Sequence, residues 1–200
     1  MTDYKNPEII DKTEQAADSK SDSRFVVVPF DRNSKALPEI YEIYEQSFPD
    51  SERKPFEMIL SGQENGKMEL FIGLFENRPA ALLFFILGEA MDVLDYLAVS
   101  EKFRDHKLGS HILSWAKERR KRPFLVEIED PRTAEDPMAG RRKGFYLRNE
   151  LQDSGERIVL FGVPMQLLSW PRMVCYDEYL TIMTAYFGAD TARYVRKNER

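Results

Sequence analysis

The sequence predicts an α+β domain whose central sheet is mixed but mostly antiparallel and is flanked by helices. Two apolar runs, 68–76 and 79–88, are separated only by a short turn, which is typical of a β-hairpin. A third strand at 93–99 follows at once. A helix beginning near Leu108 then leads to a strand at 124–128, most simply a parallel neighbour of the third strand. A meander followed by one parallel crossover therefore defines the fold class.

Composition limits the class of protein. A chain of 200 residues with 42% hydrophobic residues can bury a substantial core. The 29 basic and 34 acidic residues give a formal net charge of −5, which argues against a nucleic-acid partner. Cys175 is the single cysteine, so an internal disulfide is excluded. Residues 1–20 lack the apolar core of a signal peptide, and the apolar run at 80–87 is too short to cross a bilayer. We therefore expect a soluble, cytoplasmic protein with no membrane partner.

The ends and flanks of the chain follow from composition and periodicity. Residues 1–23 are rich in charged residues and serine, which predicts a flexible tail and leaves 24–200 as one domain. Apolar spacing predicts the remaining elements. They are a strand at 24–30, a helix from Leu37 to Phe48, a short helix from Pro55 to about Gly62, a helix from Gly140 that breaks near Asp153, strands at 157–161 and 165–169, and a closing helix at 176–187.

The polar turn between the third strand and its helix is the first candidate site. The first turn of a helix leaves four backbone N–H groups without intrahelical partners and carries the positive end of the macrodipole, so it binds phosphates readily. Arg104, His106 and Lys107 add positive charge there, and Gly109 permits close approach to the backbone. A diphosphate is the natural ligand. An ordinary helix start with solvated charges is the alternative.

The same stretch carries a family resemblance. The spacing of Arg104, Lys107, Gly109 and Ser110 resembles the Arg/Gln-x-x-Gly-x-Gly/Ala signature of the GNAT superfamily, the acyl-CoA-dependent N-acyltransferases. The block LDYLAVSEKFRDHKLGSHIL resembles the family's strand and helix over its whole length, and GFYLRNEL resembles its later FYxxxGF block. Lys107 and Glu150 stand where these patterns have glycine. The resemblance implies a GNAT-like fold.

The resemblance also implies acetyl-CoA as the acyl donor. In this family the pantetheine arm lies where two parallel strands diverge, which implies pairing with the backbone of Leu97, Ala98 and Val99. No metal is expected, because His106 and His111 lie five residues apart and would not face one ion. The turn that would hold the pyrophosphate comprises Arg104, Asp105, His106, Lys107, Leu108, Gly109 and Ser110.

Two residues are candidates for catalysis. An alkylamine has a pKa of about 10.4, so acyl transfer at neutral pH needs help in removing a proton. LVEIE resembles the pattern that supplies a catalytic glutamate in some GNAT members, which makes Glu127 the first candidate for the base, while Glu129, Asp95 and water remain open. Tyr146 occupies the position of the family tyrosine that assists the departing thiolate. It is otherwise a core aromatic residue.

These features predict an N-acetyltransferase that transfers acetyl directly from acetyl-CoA to a primary amine, either of a small molecule or of a protein. The loop FPDSER resembles the region that shapes the acceptor site in many GNAT members, although a simple solvated loop is the alternative. A non-catalytic acyl-CoA sensor is the rival function, and an interaction module without coenzyme A is a third. A homodimer is left open.

Overall fold

The computed structural model describes residues 24–50, 52–120 and 122–198, and these form eight strands and six α-helices. The predicted tail at 1–23 lies outside the described residues. The strands are β1 (Phe25–Pro29), β2 (Met68–Phe75), β3 (Arg78–Ile86), β4 (Asp92–Val99), β5 (Phe124–Glu129), β6 (Gln152–Leu160), β7 (Val163–Trp170) and β8 (Val195–Lys197). The helices are α1 (Leu37–Ser47), α2 (Phe56–Glu64), α3 (Leu108–Arg119), α4 (Ala139–Arg148), α5 (Tyr176–Phe187) and α6 (Thr191–Tyr194), and short 3₁₀ helices span Glu101–His106 and Gly188–Asp190.

All described strands belong to one sheet with the order β1-β2-β3-β4-β5-β7-β6-β8. Every neighbouring pair is antiparallel except β4 and β5, which are parallel. Glu76 and Asn77 close the β2–β3 hairpin with φ of 49° and 62°, as a two-residue turn of the tightest hairpins requires. The predicted meander, the parallel crossover and the mixed, mostly antiparallel sheet are confirmed.

Two apolar clusters cover the two faces of the sheet. One contains residues of α1, α2 and α5, and the other contains residues of α3 and α4. Strand β3 contributes to both, since Phe84 belongs to the first cluster and Phe85 to the second, and both are fully buried. A strand buried on both faces explains the unbroken apolar run at 79–86.

The later helix ends earlier than predicted. Helix α4 stops at Arg148 and β6 begins at Gln152, so the expected continuation to about Asp153 is wrong. The N–H of Leu151 bonds the carbonyl of Tyr146, and the N–H of Glu150 bonds that of Leu147, while Glu150 has φ of 69°. This is a Schellman C-cap with its left-handed residue at Glu150. A glutamate therefore fills the conformation that the family pattern gives to glycine.

The end of the chain also differs from the prediction. Helix α5 has the predicted bounds, but the chain continues through a 3₁₀ turn and α6 into β8, which pairs with β6. Gly188 ends α5 with φ of 81°, a conformation that side chains rarely adopt. Strand β8 has three residues, which is too short for an alternating pattern to be recognised in the sequence.

Candidate active site

The parallel strands β4 and β5 separate after three residue pairs. Their register runs from Asp92 opposite Phe124 to Leu94 opposite Val126, and pairing stops there. Asp95 and Glu127 are therefore the first residues beyond the last pair. We call this point the strand divergence. Beyond it, the backbone edge of β4 that faced β5 has no strand partner among the described residues.

The predicted pantetheine segment lies on that edge. Leu97, Ala98 and Val99 pair with β3 on their other side, opposite Leu83, Leu82 and Ala81. Alternate N–H and C=O groups on the free side can therefore bond an extended ligand, as a further strand would. The opening predicted for the sheet is confirmed as a feature of the fold.

A β-bulge lies at the strand divergence. Tyr96 pairs with Phe84 and Leu94 pairs with Phe85, so Asp95 is the extra residue of β4. A bulge interrupts the alternation of side chains along a strand. Leu94 accordingly packs in the cluster of α3 and α4, whereas Tyr96 packs in the cluster of α1, α2 and α5.

Glu127 meets a tyrosine of the closing helix. The hydroxyl of Tyr179 donates a hydrogen bond to Oε1 of Glu127. Burial and the nearby charge of Asp95 raise the pKa of Glu127 to about 7, although the Tyr179 hydrogen bond and the Lys54 ammonium act in the opposite direction. A carboxyl group that titrates near neutral pH is suited to act as a general base.

Asp95 pairs with a lysine of the loop between α1 and α2. Nζ of Lys54 lies 2.5 Å from Oδ1 of Asp95, and the two side chains are only 13% and 5% exposed. Aromatic rings of Tyr96, Tyr186 and Phe187 surround the ammonium, with centroids 5.3, 5.4 and 5.7 Å from Nζ. The second carboxylate oxygen of Asp95 is buried and has no hydrogen-bond partner within the described chain. Lys54 thus lies in a cage of three rings and one carboxylate, which we call the Lys54 cage.

The backbone of Lys54 is held as firmly as its side chain. Its N–H donates to the hydroxyl of Tyr96 at 2.9 Å, and its carbonyl accepts a hydrogen bond from the hydroxyl of Tyr44 at 2.8 Å. The Tyr96 hydroxyl in turn donates to the carbonyl of Glu52 at 3.0 Å. These bonds fix the end of the FPDSER loop against β4, so that Lys54, the next residue, reaches the strand divergence.

Glu129, the second candidate base, is committed to an ion pair. Its Oε2 lies 3.4 Å from the guanidinium of Arg142, which also contacts Asp136 at 3.1 Å. Glu129 shares the strand face of Glu127, as alternation predicts. Asp95 and Glu129 each form an ion pair with a cation. Of the three acids, Glu127 is therefore the one whose carboxyl group accepts a hydrogen bond but forms no ion pair within the described residues.

Tyr146 lies on the opposite face of the sheet from Glu127. It is 8% exposed and packs in the cluster that contains Val126 and Ile128, the neighbours of Glu127 on β5. Burial raises its pKa to about 12, so the hydroxyl keeps its proton at neutral pH. No other group in the described chain hydrogen-bonds that hydroxyl. The structure therefore brings Glu127, Asp95 and Lys54 together and sets Tyr146 across the sheet from them.

The predicted phosphate turn begins with the 3₁₀ helix Glu101–His106 and continues into α3 without a side-chain cap. Lys107 joins the two helices with φ of 56° and ψ of 22°, the left-handed conformation that favours glycine. The substitution of lysine for the family glycine therefore preserves the turn. Lys107 is exposed and forms no ion pair in the described part of the structure, whereas Arg104 lies 2.9 Å from Glu101.

The other residues of this turn are held by the small cluster beneath it. Leu108 is buried beside Phe103 and Phe75, and the ring of His106 lies 4.4 Å from that of Phe75. Ser110 is half-buried in the first turn of α3, where its N–H bonds the carbonyl of Lys107. The side chain of Asp105 lies outside the described part of the structure.

Gly109 has a packing role that the sequence did not indicate. A Cβ at this position would lie 3.1 and 3.3 Å from two ring carbons of Phe145. The glycine thus allows α4 to pack against the start of α3. The Phe145 ring fills the space that a side chain at residue 109 would occupy. The expectation that this glycine makes room for a ligand is therefore wrong for that space.

Sequence reasoning missed Lys54, Tyr179, Tyr186 and Phe187. Lys54 directly follows the FPDSER loop, which was a usable signal. Tyr179 and Phe187 were recognised only as members of an apolar helix face. Their approach to β4 and β5 depends on the docking of α5, which no local pattern contains.

Neither a metal centre nor a membrane helix is found in the described residues. No group of three or more histidine, cysteine, aspartate or glutamate side chains there is arranged to hold a metal ion. No helix among them is long and apolar enough to cross a membrane.

Comparison with known proteins identifies the fold. No family model and no curated protein matches the sequence. Among solved structures, a putative GNAT-family acetyltransferase from Bacteroides thetaiotaomicron is similar over 84% of this chain and 98% of its own, with a TM-score of 0.67 and 18% identity.

Two further structures agree with this assignment. An aminoglycoside 6'-N-acetyltransferase complexed with coenzyme A covers 74% of this chain and 99% of its own, with a TM-score of 0.57 and 13% identity. The ribosomal-protein-S18-alanine N-acetyltransferase from Escherichia coli covers 76% and 97%, with a TM-score of 0.55 and 14% identity. The chain therefore has the fold of the GNAT acetyltransferases, and the resemblance found in its sequence is confirmed at the level of the fold.

Proposed function

We propose that this protein is an N-acetyltransferase that transfers the acetyl group of acetyl-CoA directly to a primary amine. The strand divergence carries the proposal, since it combines an unpaired backbone edge on β4 with a raised-pKa carboxyl group at Glu127. The similar aminoglycoside acetyltransferase was solved with coenzyme A, which supports the same donor here. A reducing cytoplasm remains the proposed location, on the evidence of the single cysteine.

The residues present fit coenzyme A. The pantetheine arm would add to the free edge of Leu97, Ala98 and Val99. The pyrophosphate would meet the backbone N–H groups of Leu108 and Gly109 in the uncapped first turn of α3, with the side chain of Ser110 beside them. Lys107 supplies a cation there that pairs with no carboxylate of the described residues. Arg104, Asp105 and His106 border the same turn, and Arg104 would exchange its Glu101 partner for phosphate.

In the proposed reaction Glu127 takes a proton from the acceptor ammonium, directly or through a water molecule. The free amine attacks the carbonyl carbon of the thioester, the new C–N bond forms, and the C–S bond breaks. The hydroxyl of Tyr146 protonates the departing thiolate, and the second proton of the attacking nitrogen passes, directly or through water, to the tyrosine oxygen, which leaves the amide, the coenzyme A thiol and a neutral Tyr146. Base and acid approach from opposite faces of the sheet, so neither obstructs the other. A positioned acid or base contributes roughly 10²- to 10⁴-fold to the rate.

We propose a cationic amine as the acceptor, either on a small molecule or on a protein. Among the similar structures one acts on aminoglycosides and another on an alanine of a ribosomal protein, so the fold serves both kinds of acceptor. Asp95 and Glu129 already pair with Lys54 and Arg142, so Glu127 is the carboxyl group at the divergence that would attract a positive charge. Neither a nucleic acid nor a membrane is proposed as a partner.

Two measurements test the proposal. Acetyl-CoA bound only by the native state should raise the free energy of unfolding by about 2.7 kcal/mol at a hundredfold excess over Kd, which a thermal-shift titration detects. A panel of amines with thiol detection should then reveal turnover. Binding without turnover on any amine would favour the acyl-CoA sensor. The absence of a shift at millimolar acetyl-CoA with folded protein would refute both functions.

A further inference from the structure

An amine of the protein itself already lies where the proposed acceptor should be. The ammonium of Lys54 is bound to Asp95, the bulge residue at the strand divergence, and lies close enough to Glu127 to lower its pKa. Lys54 is 13% exposed, and the loop before it and the rings around it hold it there. An ordinary lysine on the protein surface would have neither this buried ion pair nor these surrounding rings.

The course of the proposed donor leads to the same point. A pantetheine arm that starts at the α3 turn and follows β4 backward from Val99 reaches Asp95 after four residues, or about 13 Å at ~3.3 Å per residue. The thioester at its end would therefore arrive beside the Lys54 cage. The buried Oδ2 of Asp95, which no group of the described residues hydrogen-bonds, leaves an acceptor available at this position.

We propose that Lys54 is an acceptor in its own right and that the protein acetylates Nζ of Lys54 within the same chain when acetyl-CoA is bound. This inference rests on the proposed function. Nζ loses one proton to the Glu127 carboxylate and attacks the acetyl carbonyl carbon. The C–N bond forms, the C–S bond breaks, and the second proton of the nitrogen ends on the thiolate. The products are Nε-acetyl-Lys54 and free coenzyme A thiol, and Glu127 returns its proton to water.

Acetylation would change the site that performs it. An amide at Nζ carries no charge, so the ion pair with Asp95 would be lost and a buried carboxylate would remain without its cation. The aromatic rings would then face a neutral group in place of an ammonium. Acetylation of Lys54 would therefore alter the charge balance of the strand divergence itself.

The experiment is incubation of the full-length protein with acetyl-CoA at pH 8 without added amine, followed by mass spectrometry of the intact chain and of its peptides. Lys117 is the matched internal control, because it is 14% exposed and lies 2.5 Å from Glu150 but belongs to the last turn of α3, on the face of the sheet opposite Glu127. We expect one acetyl group at Lys54, added roughly a hundredfold faster than at Lys117, as for a reaction with a positioned base. The rate should be first order and independent of protein concentration.

Two variants and one second assay make the result decisive. Lys54→Arg keeps a cation beside Asp95 but removes the nucleophile, so incorporation should disappear while acetyl-CoA binding, measured by thermal shift, persists. Glu127→Gln should slow incorporation at Lys54 and leave the slow background at Lys117 unchanged. Equal rates at the two lysines, or incorporation that persists in heat-unfolded protein, would overturn the inference.

The failure of this inference is distinguishable from failure of the proposed function. If an added amine is acetylated while Lys54 stays unmodified, self-acetylation is refuted and the transferase stands. If acetyl-CoA neither binds nor loses its acetyl group, both are refuted.

Discussion

Replacing Glu127 with glutamine is expected to stabilise the protein above pH 7 and to change its stability little near pH 5. The pKa of Glu127 is about 7 in the folded protein against an ordinary value of 4.5. Between these values the folded state keeps a proton that the unfolded state has lost. Wild-type stability therefore falls as the pH rises from about 4.5 to about 7, and the loss is complete above 7. Glutamine cannot ionise, and its oxygen still accepts the hydrogen bond of Tyr179.

The magnitude follows from the two pKa values. Their difference corresponds to roughly 3 kcal/mol in the free energy of unfolding at pH 8. At pH 5 the folded wild-type carboxyl is protonated and resembles the amide, so less than about 1 kcal/mol should remain. For a domain of this size each kcal/mol shifts Tm by about 2–4 °C, so the variant should melt about 6–12 °C higher at pH 8.

Thermal unfolding of both proteins at pH 5, 6, 7 and 8 measures the effect. Glu129→Gln serves as the control on the same strand face, because it removes the ion pair with Arg142 and should give no gain at high pH. A constant difference in Tm between wild type and Glu127→Gln from pH 5 to pH 8 would refute the argument. Glu127 would then be ionised throughout, and its role as a base near neutral pH would lose its physical support.

Three further predictions concern the predicted phosphate turn and Tyr146. Lys107→Ala removes a cation from the left-handed turn and should weaken the binding of coenzyme A about fivefold, or ~1 kcal/mol, but not the binding of a pantetheine lacking phosphate. Equal weakening of both ligands in binding assays would show that the pyrophosphate lies elsewhere. Gly109→Ala should be less favourable in urea unfolding beside Phe145 than in a Phe145→Leu background, by about 1–3 kcal/mol, because its Cβ meets the Phe145 ring. Additive effects of the two substitutions would contradict the contact. Tyr146→Phe should lower kcat roughly 10²- to 10⁴-fold and leave the Kd of acetyl-CoA unchanged, and an unaltered kcat under conditions where chemistry is rate-limiting would make Tyr146 a packing residue.

Local patterns sufficed for most of the fold. The β2–β3 hairpin, the strand–turn–helix block around Leu108 and the bounds of α5 were all predicted from periodicity and turn residues, because each depends on neighbours in the chain. The C-terminus of α4 was not, since the sequence signal for a left-handed cap is glycine and Glu150 occupies that position. Lys107 likewise takes a left-handed conformation where the family pattern has glycine, although the α3 turn itself was predicted. Both departures from the family pattern change the residue while the backbone conformation stays.

At the strand divergence, only those residues of the candidate site that lie on strands were predicted from the sequence. Glu127 was identified through its own strand, but its partner Tyr179 lies 52 positions later and reaches it through tertiary packing. The bulge at Asp95 was equally hidden, because it arises from the register between β3 and β4 and leaves no mark in the apolar run. The Lys54 cage collects residues from a loop, a strand and the closing helix. Only the assembled fold shows it.

The short pairing between β4 and β5 also divides the protein in a mechanical sense. Strands β1 to β4 all precede this junction in the chain and β5 to β8 all follow it, yet three residue pairs form the backbone connection between the two groups. Each half is a contiguous segment, and beyond these pairs the two halves are joined by side-chain packing in the two apolar clusters. An acyl-CoA arm lying along the free edge of β4 would then contact both halves and hold them together. If the chain is cut in the link between α3 and β5, the two fragments should reassociate most readily when acyl-CoA is bound.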